Sequence, residues 1–198
     1  MKGFSNMLKL GLVLALFAAA ACVMLAFVYS GTSAIIARRQ QADLEAALKE
    51  LFPEADDFRA INDIQSADPA VAIENAYAAL KDNRIAGAAL RVSRASYGGP
   101  VKIMAGISTD GRITGVKIME HSDTPGLGAN IASPSYYVDR AKGITFYGQF
   151  TAKRVTDPFE VKGDVIAVTA STISSRAVSE AVKAAGLAVN EWLAGGAK

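Results

Sequence analysis

From Leu10 to Tyr29 the chain runs for 20 residues without a charge, and no later stretch repeats that pattern. At ~1.5 Å per residue a helix of this length covers about 30 Å, the apolar depth of a bilayer, so the stretch predicts a membrane-spanning helix. Behind it the hydrophobic positions thin out to one face. Over residues 35–52, Leu44, Leu48, Leu51 and Phe52 share a face, while Arg38, Gln41, Asp43, Glu45 and Lys49 cover much of the rest. That spacing predicts an amphipathic helix outside the membrane, stopped by Pro53. Residues 53–72 are polar and turn-rich and read as a linker.

From about residue 73 the spacing becomes that of strands. Residues 76–80 and 85–93 flank Asp82-Asn83 as a hairpin, although the alanine richness of 70–80 also permits a helix. Tyr97-Gly98-Gly99-Pro100 is a turn. Residues 101–107 and 112–119 flank Thr109, Asp110 and Gly111, where Asp-Gly supplies the positive φ that a tight hairpin requires. Residues 121–143 are irregular, and 144–150 and 164–169 are further expected strands. The final pattern is helical, from about Ser174 to Ala194, with Val178, Ala181, Val182, Ala185, Val189 and Trp192 facing the sheet. Gly186 interrupts it at a cost of ~1 kcal/mol. The expected fold class is α+β: one transmembrane helix, then a mixed or antiparallel sheet packed with helices. The expected organisation is a tail and anchor over 1–34, the amphipathic helix and linker over 35–72, and a globular domain over 73–198.

Charge refines the front end. Lys2 and Lys9 precede the apolar run and Arg38 and Arg39 follow it, so the positive-inside rule is nearly balanced. A short leading tail with two lysines points to a cytoplasmic N-terminus, hence an extracytoplasmic domain. A cleaved signal peptide has an apolar region of only ~7–15 residues, shorter than this run. Ala19-Ala20-Ala21-Cys22 is a weak likeness of a lipoprotein processing site, without its large aliphatic residue. Cys22 is the only cysteine and His121 the only histidine, which excludes an intramolecular disulfide, a cysteine-held iron–sulfur cluster within this chain and a histidine-rich zinc site. Net charge is +2 with no basic cluster interleaved with aromatics, so nucleic-acid binding has no support.

The candidate chemistry lies where the last helix begins. Thr169, Ser171, Thr172, Ser174 and Ser175 put five hydroxyls into seven residues, with Arg176 close behind. The first four N–H groups of a helix lack intrahelical partners and, with the dipole, form an anion site. Capping alone explains one hydroxyl, and a polar surface turn is the plain alternative. A serine hydrolase would need Ser171 or Ser174 activated by His121, with Asp110 or Asp123 orienting the ring, and no Gly-x-Ser-x-Gly elbow is present.

Two segments carry a resemblance. Thr169-Ala170-Ser171-Thr172-Ile173-Ser174 resembles the flavin-attachment segment of the FMN-binding domain family, and Asp123-Thr124-Pro125-Gly126-Leu127-Gly128 resembles that family's Glu-Thr-Pro-Gly-Leu-Gly signature. Tyr97-Gly98-Gly99-Pro100 and the hairpin at Asp110-Gly111 fit it too. Within the family the chain is most similar to the G component of the Rnf ion-translocating electron-transport complex; the C component of the sodium-pumping NADH:quinone oxidoreductase is the alternative, and a flavin-less anchored assembly or binding module is a third. The resemblance implies FMN held by a phosphoester to Thr172. It implies ring contacts at Thr124 and Leu127 and close backbone approach at Gly126 and Gly128. Pro125 belongs to the same turn, and Thr169, Ser171, Ser174 and Ser175 are left to bond the phosphate. It further implies an electron-relaying component with no turnover of its own. Its partners would be the integral-membrane and iron–sulfur subunits of the complex, in a bacterial inner membrane with the domain on the periplasmic side. Three positions depart from the motif: Ile166 replaces an acidic residue, Ala170 a glycine and Ser171 an alanine, with Asp164 two residues before Ile166.

Overall fold

The computed structural model describes residues 2–196; Met1 of the expected tail, and residues 197–198 of the expected domain, lie outside the described residues. The chain divides into two units, Met1–Glu45 and Ala46–Lys198.

The first unit is helical from Lys2 onward, part of α1 (Lys2–Leu51). Two helices were expected here, and one is found. The junction holds only a lone glycine, Gly31, and its hydroxyls do not cap. Ser30 Oγ donates to Phe27 O (2.9 Å) and Thr32 Oγ1 to Val28 O (2.8 Å), so they bond back along the helix and leave it unbroken. Leu10, Leu12, Leu14, Leu16 and Phe17 are all exposed, and this is the one described helix long and apolar enough to cross a membrane. Such an uncovered apolar surface suits lipid. The chain is a single-pass membrane protein.

In the second unit a five-stranded antiparallel meander runs in sequence order: β1 (Asp57–Ala60), β2 (Val71–Lys81), β3 (Arg84–Ala95), β4 (Pro100–Ser108) and β5 (Ile113–Glu120). Both expected hairpins form. Asp82 and Asn83 take φ of 51° and 59°, the pair of left-handed residues a two-residue turn needs, and Gly111 takes 73°. β1 lies in the segment expected as a linker. Its four residues pair with Leu80–Tyr77 of β2, an edge strand too short and polar to announce itself.

Side chains alternate across the strands. Leu90, Val92, Ile103, Ala105 and Ile107 form one core with Val178, Val182 and Val189 of α2 (Thr172–Ala194). Gly186 does not break α2: a Cβ there would stand 2.9 Å from Val155 Cγ1, so the glycine admits a close neighbour. On the opposite face Leu51 and Phe52 sit in a seat made by Gly87, Gly106 and Gly115 of three adjacent strands. A Cβ on Gly87 would meet the Phe52 ring at 2.8 Å, and one on Gly115 would meet Leu51 at 3.0 Å.

Between sheet and α2 the chain departs most from the expected pattern. Residues 144–150 give a two-residue β7 (Ile144–Thr145), paired with β6 (Tyr137–Asp139), then a 3-10 turn over Gly148–Phe150. The reason is spacing: Phe146 and Phe150, both fully buried, stand four residues apart rather than alternating. Residues 164–169 form no strand beyond a single bridge, Val161 to Val165. Gln149 takes the place of a partner strand, its side-chain amide donating to Ile166 O (3.0 Å) and accepting from Ile166 N (2.8 Å).

Asp164 orders the turn before this segment. It accepts from Lys153 Nζ (2.8 Å), Glu160 N (2.6 Å) and Phe159 N (3.3 Å). Burial pushes its carboxyl up, but the Lys153 ammonium and the two amides together outweigh burial and hold it below the usual range. A depressed carboxyl contributes stability that is present above its unfolded value and lost as pH falls through its folded one. The parent protein is therefore expected to lose stability below about pH 4 in urea titrations, and Asp164→Asn to flatten that loss.

Candidate functional site

The hydroxyl segment folds into a tight junction. α2 begins at Thr172, two residues earlier than the pattern predicts, with Ser171 as its N-cap residue. The five hydroxyls then divide. Ser175 Oγ donates to Ser171 O (2.9 Å) and accepts from Val168 N (3.0 Å), while Ser175 itself is fully buried. It staples the entering chain to the helix, and its single O–H, the only part of it that could donate to a phosphate oxygen, is already committed to Ser171 O. Ser171 Oγ donates to Ser174 Oγ (3.0 Å), and both are buried. Thr169 is exposed, its N–H donating to Tyr136 Oη (3.2 Å). Thr172 is half-buried, and its hydroxyl has no hydrogen bond among the described residues. The amides of Thr172, Ile173 and Ser174 likewise find no acceptor there, as expected of a helix start.

A cleft of about 480 Å³ opens at this point, lined by Tyr97, Asp123, Thr124, Leu127, Gly128 and the run Ala170–Ser174. The fold thus brings together Thr124, Leu127 and Gly128 from one expected segment with Ser171, Thr172 and Ser174 from the other. Pro125 and Gly126 are exposed beside the cleft without lining it, as is Thr169. The 124–128 turn is wound on one carbonyl: Thr124 O accepts from Leu127 N and Ala129 N, both at 3.2 Å. Gly128 fixes its approach to α2. A Cβ there would stand 2.6 Å from Asp123 Cβ and 3.1 Å from Ser174 Oγ, so no other residue fits unshifted. Tyr97, Asp123, Ala170 and Ile173 also line the cleft, beyond the contacts expected from the sequence. For Asp123 the signal was present, at the acidic position of the Thr-Pro-Gly-Leu-Gly segment. His121 lies outside the cleft, in a separate hollow with Pro100, Lys102 and Glu120, so the hydrolase arrangement does not assemble.

The motif departures acquire physical meaning. Ala170 stands where a glycine is expected and takes φ of 58°, the left-handed region that costs a residue with a Cβ about 1–2 kcal/mol. Glycine would remove that strain but lose more backbone entropy on folding, by about 0.4–1 kcal/mol. Ala170→Gly is expected to raise stability by a net ~0.5–1 kcal/mol, seen as a higher urea midpoint. Ile166 is exposed, whereas Asp164 is engaged with Lys153 and backbone amides.

Comparison with known proteins bears on this cleft. The sequence model described as the FMN-binding domain matches residues 96–186, a range that contains every residue lining it. A second, described as the RnfG N-terminal region, matches residues 1–51. The G component of the ion-translocating oxidoreductase complex of Methanosarcina acetivorans is 32% identical over 181 residues, covering 89% of this chain and 91% of the relative. The G component of the Na(+)-translocating ferredoxin:NAD(+) oxidoreductase complex of Acetobacterium woodii is 31% identical, with 88% and 87% covered. The proton-translocating counterpart from Clostridium ljungdahlii is 30% identical, with 82% and 80% covered. Among solved structures, the crystal structure of Shewanella oneidensis NqrC superposes with a TM-score of 0.54 at 15% identity, over 80% of this chain and 99% of that one, a likeness of fold.

Proposed function

The chain belongs to the RnfG family, the G components of ion-translocating oxidoreductase complexes, and on that premise we propose that it is a membrane-anchored flavoprotein relaying electrons through FMN esterified to Thr172. One observation carries the attachment reading: of the clustered hydroxyls, the one at the first residue of α2 is free of hydrogen bonds among the described residues and lines the cleft. A phosphate bonded there has its charge at the positive end of a helix, beside amides without acceptors. Arg176 is exposed one turn further on, where a cation suits the same charge. Thr124 and Leu127 from the facing turn, with Gly128 behind them, form the opposite wall for the ring. FMN, when bound, supplies the electron-accepting chemistry; the protein's part is to tether, orient and shield it. No acid–base pair is required, in keeping with a cleft whose only carboxylate, Asp123, is engaged by Ser96 and Gly98.

The domain is assigned to the extracytoplasmic side. A tether suits a compartment where lost FMN is not readily replaced, and the lysines ahead of the span favour a cytoplasmic N-terminus. Its partners are the integral-membrane and iron–sulfur subunits of the complex. Between ferredoxin and NAD this chain provides a carrier and no ion path, since its span carries no charge from Leu10 to Tyr29. The C component of the sodium-pumping enzyme is the weaker reading, its support being likeness of fold. The test is redox spectroscopy of the assembled complex: reduced ferredoxin should bleach the flavin absorbance that stays with this chain after denaturing separation. Flavin that stays oxidised throughout turnover contradicts the relay.

A further inference from the structure

Among the described residues of the second unit, five large hydrophobic side chains are exposed: Tyr97, Leu127, Tyr137, Ile166 and Ile173. Three of them, Tyr97, Leu127 and Ile173, line the one cleft at Thr172. Tyr97 is the most exposed, at 73%. Its hydroxyl has no hydrogen-bond partner among the described residues, so neither burial nor a hydrogen bond of its own explains where it is held.

Yet the backbone that carries it is held firmly. Ser96 N donates to Gly99 O (2.9 Å), closing a turn around it. Asp123 grips both flanking residues, accepting from Gly98 N (2.9 Å) and Ser96 Oγ (3.2 Å). Gly98 lies so close to the 121–123 segment that a Cβ would stand 2.2 Å from Ser122 O. Asp123 is only 6% exposed and has no cationic partner among the described residues. Burying a carboxylate on so few hydrogen bonds is unfavourable. A loop that merely joined two strands would not need it; a loop that must present an aromatic ring at a fixed place would.

We propose that Tyr97 is the aromatic face against which the isoalloxazine ring of FMN packs, and that Asp123 is the positioning residue that fixes it there; this rests on the reading that FMN is tethered at Thr172. Offset stacking of flat rings suits a phenol and a flavin. It also has an optical signature. A phenol in contact with photoexcited flavin gives up one electron and takes it back, so the light energy is lost as heat and nothing is chemically changed. Phenylalanine stacks in the same way but is a much poorer electron donor.

The experiment uses the full chain, flavinylated in cells with its complex and purified in detergent, and reads the flavin fluorescence decay together with the mass of the peptide bearing Thr172. The parent protein is expected to show a dominant fast decay. Tyr97→Phe should lose that component while keeping the visible circular dichroism of the flavin. Tyr97→Leu should lose both, and Asp123→Asn should lower the share of the fast decay. A fully loaded Tyr97→Phe variant with the parent's decay overturns the assignment of Tyr97 and leaves the tether standing. An unmodified Thr172 peptide in the parent protein is a different failure, and removes the tether and this proposal together.

Discussion

Thr172→Ala is expected to abolish covalent flavin completely: the denatured protein becomes colourless, and electron transfer from ferredoxin to NAD through the assembled complex falls to background. The fold should hardly notice. The lost hydroxyl makes no hydrogen bond among the described residues, Thr172 is half-buried, and alanine is the better helix former at the first position of α2. A stability change within about 0.5 kcal/mol, the ordinary range for such a site, is expected from urea unfolding. Ser171→Ala provides the contrast. It removes the bond to Ser174 Oγ and should keep the flavin. If Thr172→Ala stays yellow after denaturation, the tether is elsewhere.

The largest effect on stability is expected from Phe150→Ala. Phe150 is fully buried, meets Phe146 edge-on with centroids 5.6 Å apart and stacks on Phe159 at 6.2 Å. Truncating such a residue leaves a cavity the surroundings fill only in part, at about 3–5 kcal/mol. Its neighbour Gln149 is the clamp on Ile166, so the same loss loosens the chain that leads into the hydroxyl segment. A large fall in urea midpoint with an unchanged denaturant slope is the predicted reading. A variant within about 1 kcal/mol of the parent would mean the aromatic cluster is not a keystone of this region.

The same region shows why some of this molecule is legible in its sequence and some is not. The membrane run, both hairpins and α2 follow from local signals: an uncharged stretch, left-handed turn residues, a helical stripe. The hydroxyl segment and the Thr-Pro-Gly-Leu-Gly turn are legible as motifs, and the fold brings them to one cleft. The run at 165–168 looks like a strand because it is apolar, but a strand needs a partner, and here one glutamine side chain serves instead. Nothing local reveals that Ser175 is used internally, because its partner Val168 N reaches it only after the chain has turned at Ala170. Tyr97 is only half legible: its Gly-Gly-Pro turn fits the family resemblance, but nothing local shows that the turn brings the ring to the cleft.

The most direct measurement of the central claim is the mass of the tryptic peptide spanning residues 163–176, taken from protein purified out of its own membrane with the complex assembled. The expected result is an increase of ~440 Da, one esterified FMN, with fragmentation placing it on Thr172. The same peptide at its unmodified mass would contradict a tethered flavin.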